Sequence, residues 1–387
     1  EMSGEMTAAM AKIQFEDLAE KLEFTDDVEA NTHTFIIEVT DSKEHSATKT
    51  LTIVPQQASK SLSEIQPGNV WARRAYLTLN TDGDPSKLTV QVKESGTELW
   101  YTPEGTEYSV SGKTSSATVK GLKSNTKYAF RAVYNGFAAA EAPEMTTETE
   151  LQVGNAGFDE WTTQTHSFVY NFLGKHEHNI DWDLPWTNDQ WWAVNSKKTM
   201  PSSTSVVSNN WNWVRFPTVA YTTDANDGKA AMIYSVNVGD WLTSTASVGD
   251  RVAGELFIGT ADDSGNHSSD GHDFGSRPDI LRFHFKYQSV NSETFYVKVE
   301  LRSGNDVIAS AERSDVGQTS SWTPMDMPLV YADEMQKATS IYIIFKSTTA
   351  EKPEVIGNYN LVIRDGKSEK GNFGSILYVD DIELIYE

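Results

Sequence analysis

Apolar and polar residues alternate over short stretches through much of the chain, and Gly, Pro, Asn, Asp or Ser cluster between the stretches. A period of two places every second side chain on one face of an extended backbone, so each stretch predicts a half-buried β-strand. In the first half the stretches cover residues 34–39, 47–53, 75–79, 88–92, 117–119 and 128–134. In the second they cover 229–236, 281–287, 295–301, 340–345 and 376–386. Helical spacing is confined to residues 7–24, where Phe15, Leu18, Ala19 and Leu22 stand at i, i+3, i+4 and i+7 and predict one short helix. Pro and Gly fall between the runs rather than inside them, which points to an all-β fold class of sandwich type.

A length of 387 residues predicts two or three domains. Residues 34–39 and 47–53 flank the polar turn 41–46 and read as a hairpin, but two strands and a helix cannot bury a core unaided. Residues 1–57 are therefore expected to be a partial immunoglobulin-like module with a short helix, followed by a polar linker over 56–66. Residues 58–150 carry several short strands at the spacing of a sandwich. Within them Gly121-Leu122-Lys123-Ser124-Asn125-Thr126-Lys127-Tyr128-Ala129-Phe130-Arg131-Ala132 resembles the fibronectin type III signature. The resemblance implies a tyrosine corner, with the Tyr128 hydroxyl bonded to nearby backbone. The tryptophan usual in the second strand is missing, so Leu77 and Leu79 are expected to fill the core. Residues 151–387 form one larger block, sufficient for a single sandwich with elaborated loops.

No run of 18 or more apolar residues is present, so no bilayer-spanning helix is expected. A net charge of -23 argues against nucleic acid or anionic lipid as partner, because phosphate contacts need clustered Lys and Arg. Neutral glycans, cations and proteins remain. With no cysteine, disulfides, thiolate metal sites and cysteine nucleophiles are excluded. No signal peptide or lipidation motif is visible at Glu1, and the expectation is a processed or truncated chain with a lipid anchor upstream.

Gly157-Phe158-Asp159-Glu160-Trp161, Ala253-Gly254-Glu255-Leu256-Phe257-Ile258-Gly259, Arg277-Pro278, Phe283-His284-Phe285-Lys286-Tyr287 and Val379-Asp380-Asp381-Ile382-Glu383-Leu384 follow one another in the large block. In order and spacing they resemble the carbohydrate metabolism domain family of Bacteroidetes surface lipoproteins, which follows immunoglobulin-like modules. The resemblance implies a jelly roll of the carbohydrate-binding-module kind, displayed at the cell envelope, on the outer surface or in the periplasm. In such modules a structural Ca²⁺ commonly ties the first strand to the last. The matching carboxylates are Asp159, with Glu160 beside it, and Asp380, and backbone carbonyls would complete the shell.

The residues themselves also suggest sugar chemistry. Trp182, Trp186, Trp191, Trp192, Trp211 and Trp213 fall close together among Asn, Asp and Gln, with Arg215 following. Indole faces stack on the C–H faces of pyranose rings while amides, carboxylates and guanidinium groups bond hydroxyls. The competing reading is that these rings pin loops onto the sandwich, and Trp161 is assigned to the core. His176 and His178 share one side of a strand without completing a metal motif, and His166, His267 and His272 read as loop residues. The run 262–273 alternates oxygen-bearing side chains but lacks the closing Glu of an EF-hand, and reads as a mobile rim loop beside Arg277. Glu177, Asp181, Asp183, Asp189, Asp270 and Asp273 could supply a glycosidase pair, although sequence provides no distances. There is neither a Gly-x-Ser-x-Gly elbow nor a phosphate-binding Gly-x-x-x-x-Gly-Lys loop.

The leading expectation is a glycan-binding jelly roll on immunoglobulin-like spacers. The alternatives are a glycoside hydrolase on the same sandwich, and an adhesion or assembly protein whose aromatic surface meets another protein.

Overall fold

The computed structural model describes residues 33–40, 45–53, 58–171, 175–199, 216–237, 251–268 and 270–387. It is all-β, as the alternation predicts. The helix expected over 7–24 lies outside the described residues, whereas the expected hairpin is present as β1 (His33–Thr40) paired antiparallel with β2 (Ser46–Ile53).

Residues 58–150 form a small sandwich. One sheet has the order β3 (Ser61–Leu62), β4 (Ala75–Asn80), β7 (Thr114–Val119), β6 (Glu107–Ser111). The other has β5 (Leu88–Glu94), β8 (Lys127–Tyr134) and β10 (Glu144–Thr146), with β9 (Phe137–Ala138) also on β8. Leu77, Leu79, Val90, Val92 and Phe130 alternate inward and close the core between them. Tyr128 is buried, and its hydroxyl accepts a hydrogen bond from the Lys123 amide at 3.1 Å, which is the corner contact expected.

The large block is a two-sheet sandwich. The first sheet runs β13 (Trp192–Val194), β17 (Glu255–Ile258), β24 (Ser340–Lys346), β20 (Tyr296–Ser303), β21 (Asp306–Arg313), β23 (Val330–Tyr331), with β18 (His272–Asp273) beside β24. The second runs β14 (Val219–Thr222), β15 (Ala230–Asn237), β26 (Lys367–Ile385), β19 (Ile280–Gln288), β22 (Thr319–Pro328); β16 (Arg251–Val252) joins β15 and β25 (Val355–Ile363) joins β26. A further hairpin, β11 (Thr162–Asn171) with β12 (Lys175–Leu184), precedes β13.

The alternation decides which residues meet between the sheets. Ile341, Ile343 and Phe345 of β24 and Leu281, Phe283 and Phe285 of β19 face the shared core. Tyr342, Ile344 and Lys346, the intervening residues of β24, therefore point to the opposite face, where Tyr342 and Ile344 join Phe257 and Ala193 in a smaller apolar layer.

The two sandwiches meet at a buried polar contact. Arg277 is fully buried; its Nε and Nη2 engage Glu148, the latter at 2.9 Å. Nη1 donates to the carbonyls of Gly68 at 2.9 Å and Glu334 at 2.7 Å, and Nη2 to that of Val70 at 3.1 Å. The Trp71 ring covers the guanidinium at 4.4 Å, and its Nε1 donates to the Glu334 carbonyl at 3.1 Å. A Cβ on Gly68 would lie 1.6 Å from the Met335 carbonyl oxygen, so only glycine permits this approach. Arg277 is thus a joint between the sandwiches.

Candidate functional site

The first sheet carries an open cleft of about 600 Å³ at the end where β17 begins and β24 finishes. Its walls include Lys198, Arg251, Glu255, Tyr296, Lys346 and Glu351. Glu255, Lys346 and Tyr296 reach it by register: Glu255 is opposite Lys346 on the neighbouring strand, and Lys346 is opposite Tyr296 on the next. Three outward positions therefore form one row across the sheet.

Glu255 is held there from behind by Asn195, whose Oδ1 accepts from the Glu255 amide at 2.9 Å and whose Nδ2 donates to the Ala253 carbonyl at 2.8 Å. Gly254 lies between those two contacts. A Cβ there would come within 2.6 Å of the carbonyl oxygens of Thr218 and Tyr234, so the corner needs the bare backbone. The short 3-10 turn Ser196–Lys198 follows Asn195 directly and carries Lys198 to the same wall.

The Glu255 side chain is only 9% exposed and is flanked by two ammonium groups. Lys346 Nζ lies 2.9 Å from Oε1, and Lys198 Nζ lies 3.6 Å from Oε2. Oε2 is buried with no hydrogen-bond partner among the described residues, and the same holds for Arg251 Nε. Arg251 Nη1 is engaged, with Glu354 Oε2 at 3.0 Å and the Pro353 carbonyl at 3.2 Å. Across the cleft, the Tyr296 hydroxyl donates to Glu312 Oε2 at 3.2 Å; burial, together with that carboxylate, pushes it up to about 12. The site thus borders one open space with an aromatic residue and charged residues of both signs, while Glu255 Oε2 and Arg251 Nε have almost no accessible surface.

The neighbouring rows of this face are closed over. The segment expected to be a mobile rim loop is tied down: Asp262 Oδ1 accepts from the amides of Ser264 and Asn266 at 2.8 Å each, and Ala261 bridges His267. His267 then packs against Phe257 at 5.4 Å between ring centroids and approaches the Tyr342 hydroxyl at 3.2 Å. Burial holds the imidazole below its ordinary value, with Lys346 and Lys198 acting the same way against Glu255. The loop therefore hides Phe257 and Tyr342 and leaves the Glu255 row open.

The tryptophans are distributed differently from the expected platform. Trp192 is fully buried, with Nε1 donating to the Gly154 carbonyl at 2.8 Å and its ring 5.1 Å from Phe158, so its assignment to sugar binding is corrected to core. Trp191 is half-buried, stacks on His272 at 3.8 Å and bonds Asp189 at 2.9 Å. Trp186 is half-buried, and its Nε1 has no hydrogen-bond partner among the described residues. Trp182, also half-buried, sits on β12 opposite Gln164 and donates to its Oε1 at 3.1 Å. None of these four lines the cleft. Trp211, Trp213 and Arg215 lie outside the described residues, as do the side chains of His176 and His178. Trp161 is partly buried against the main core, as expected.

The carboxylates named for calcium each accept hydrogen bonds from the protein. Asp380 is buried at a bulge of the β19–β26 ladder; its Oδ2 accepts from the amides of Asn226 and Asp227 at 2.8 and 3.0 Å, and its Oδ1 from that of Asp381 at 2.8 Å. Burial pushes this carboxyl up to about 6 against those amides. Asp159 accepts from the Lys229 amide at 2.9 Å, and Glu160 turns away to the Thr187 hydroxyl at 2.6 Å. Asp183, a candidate acid, is paired with Arg364 at 3.0 Å in a buried contact, beyond reach of a substrate.

Lys198, Arg251, Tyr296, Lys346 and Glu351 were not singled out from the sequence. Alternation placed Tyr296 and Lys346 at outward positions, but only the folded loop shows which part of that face stays open.

No family model matches the chain, and no curated protein matches it. Among solved structures, a family 11 carbohydrate-binding module of the cellulosomal cellulase Lic26A-Cel5E of Clostridium thermocellum is similar at 11% identity and a TM-score of 0.23, covering 59% of this chain and 88% of that one. The secreted serine protease VesC of Vibrio cholerae is similar at 10% identity and 0.18, covering 82% and 49%. The infectious bursal disease virus VP2 subviral particle follows at 10% identity and 0.19, covering 90% and 70%. Such scores carry no functional argument. Among the described residues, no helix is long and apolar enough to cross a membrane.

Proposed function

We propose that the C-terminal sandwich binds carbohydrate in the cleft bordered by Glu255, Lys346 and Tyr296. One observation carries the reading: an aromatic residue and charged residues of both signs line an open space of about 600 Å³. A sugar ring offers an apolar face and a belt of hydroxyls, and a pocket of this size with a few fixed polar groups suits it.

Affinity electrophoresis on a panel of soluble polysaccharides tests the proposal. Retardation of the full chain is expected on at least one gel, lost in Tyr296→Ala and retained in Trp182→Ala. Absence of retardation on every polysaccharide, or loss that follows Trp182 instead of Tyr296, would overturn it.

A further inference from the structure

Resting on that carbohydrate reading, we infer that the cleft selects an acidic saccharide, one whose ring bears a carboxylate or sulfate, with Lys198 and Arg251 receiving the negative group. The chain as a whole carries a net charge of -23, yet the charged groups lining the cleft are three cations, Lys198, Arg251 and Lys346, and two carboxylates, Glu255 and Glu351. With Glu354, which pairs with Arg251, three cations meet three carboxylates around the cleft, so its charges balance while the molecule as a whole is strongly negative. Hydroxyl recognition alone does not call for this, since amides and carboxylates suffice for neutral sugars.

The pairing inside the cluster shows which positive groups are least engaged. Lys346 closes on Glu255 Oε1 at 2.9 Å, within hydrogen-bond distance. Lys198 stands 3.6 Å from Oε2, too far for a hydrogen bond, so a second ammonium faces a carboxylate already neutralised by the first. Arg251 spends Nη1 on Glu354 and the Pro353 carbonyl, but its buried Nε–H finds no acceptor among the described residues. A buried unpaired donor is costly, and an anionic oxygen is the acceptor that satisfies it best.

Glu255 Oε2 adds the complementary demand. It is an acceptor without a donor, on a side chain nine-tenths buried. Arg251 Nε and Glu255 Oε2 have almost no accessible surface, so the ligand that answers both demands draws the partly exposed Lys198 and Arg251 outward to an anionic oxygen and gives a hydroxyl donor to the Glu255 oxygen this uncovers. A uronic acid ring or a sulfated sugar carries both groups on one residue.

Calorimetry on the full chain with three oligosaccharides of equal length tests this: oligogalacturonate, a sulfated galactan oligomer and the neutral galactan oligomer. At least one acidic oligomer is expected to bind about 10-fold or more tighter than the neutral one, the scale of a hydrogen bond to a charged group. Lys198→Gln should remove most of that preference without changing the melting temperature, because the side chain leaves the core intact. Arg251→Gln should act in the same direction. Comparable affinity for neutral and acidic oligomers would overturn the inference while leaving carbohydrate binding in place. Lack of binding to all three would overturn it as well, and the polysaccharide panel would then decide the broader proposal separately.

Discussion

Two buried ionic clusters in this chain are built to opposite plans. At the joint between the sandwiches, Arg277 is wholly enclosed, faces Glu148 and four backbone carbonyls, and is roofed by Trp71. At the cleft, Glu255 has one oxygen paired and one unpaired, and Arg251 keeps a buried N–H without an acceptor. A closed cluster has nothing left to offer a ligand and serves to set geometry. An open one retains the bonding capacity that recognition needs, at some cost to the isolated protein. Burial of charge therefore does not mark a functional site by itself; the unspent donors and acceptors do.

Mutations should separate the two plans sharply. The largest effect is expected for Arg277→Met, which strands the Glu148 carboxylate and four carbonyl contacts: about 3–5 kcal/mol by denaturant unfolding, the usual cost of breaking a buried pair from one side. A loss below about 1 kcal/mol, the level of a surface pair, would mean that the joint is not the closed unit described. Gly254→Ala comes next, with about 1–3 kcal/mol expected from overpacking against Thr218 and Tyr234. It should also weaken any saccharide binding, since the corner that presents Glu255 must move; unchanged affinity would detach the corner from the site. Glu255→Gln should be the mildest, within about 1 kcal/mol, because both lysine partners remain 29% exposed and can turn to water. Its melting temperature should stay near that of the parent while ligand affinity falls. Equal destabilisation in Glu255→Gln and Arg277→Met would erase the contrast.

Much of the strand framework was legible in the sequence because alternation is a local property. The runs at 229–236, 281–287, 295–301 and 340–345 each became a strand of the large sandwich, shifted by a residue or so at the ends. Leu77 and Leu79 filled the small core, and Tyr128 made its corner bond, for the same reason. The hairpin β11–β12 is absent from the alternating runs because its polar ladder, Thr163 to Asp183 and Thr165 to Asp181, lacks the apolar alternation that announces a strand. Its stability comes from pairing between segments and from the distant Arg364, which donates to Asp183 and to the Asp181 carbonyl.

The candidate site was far less legible. Tryptophan density drew attention to residues 182–213, but a ring's type does not say which side of a sheet it meets, and Trp192 went inward while Trp191 stacked on His272. Lys198, Arg251, Glu255, Tyr296 and Lys346 are ordinary in sequence and up to about 150 positions apart.

By itself, then, the order of apolar and polar residues determined that this protein would be built of strands, which side chains would face a core, and that cysteine chemistry would play no part. Tertiary structure alone decided that Arg277 would be sealed in a joint, that His267 and its loop would cover Phe257 and Tyr342, and that the Glu255 row would remain open. The reason is physical: alternation follows from backbone geometry two residues at a time, whereas exposure and unpaired bonding capacity depend on which distant segments arrive to cover a given face.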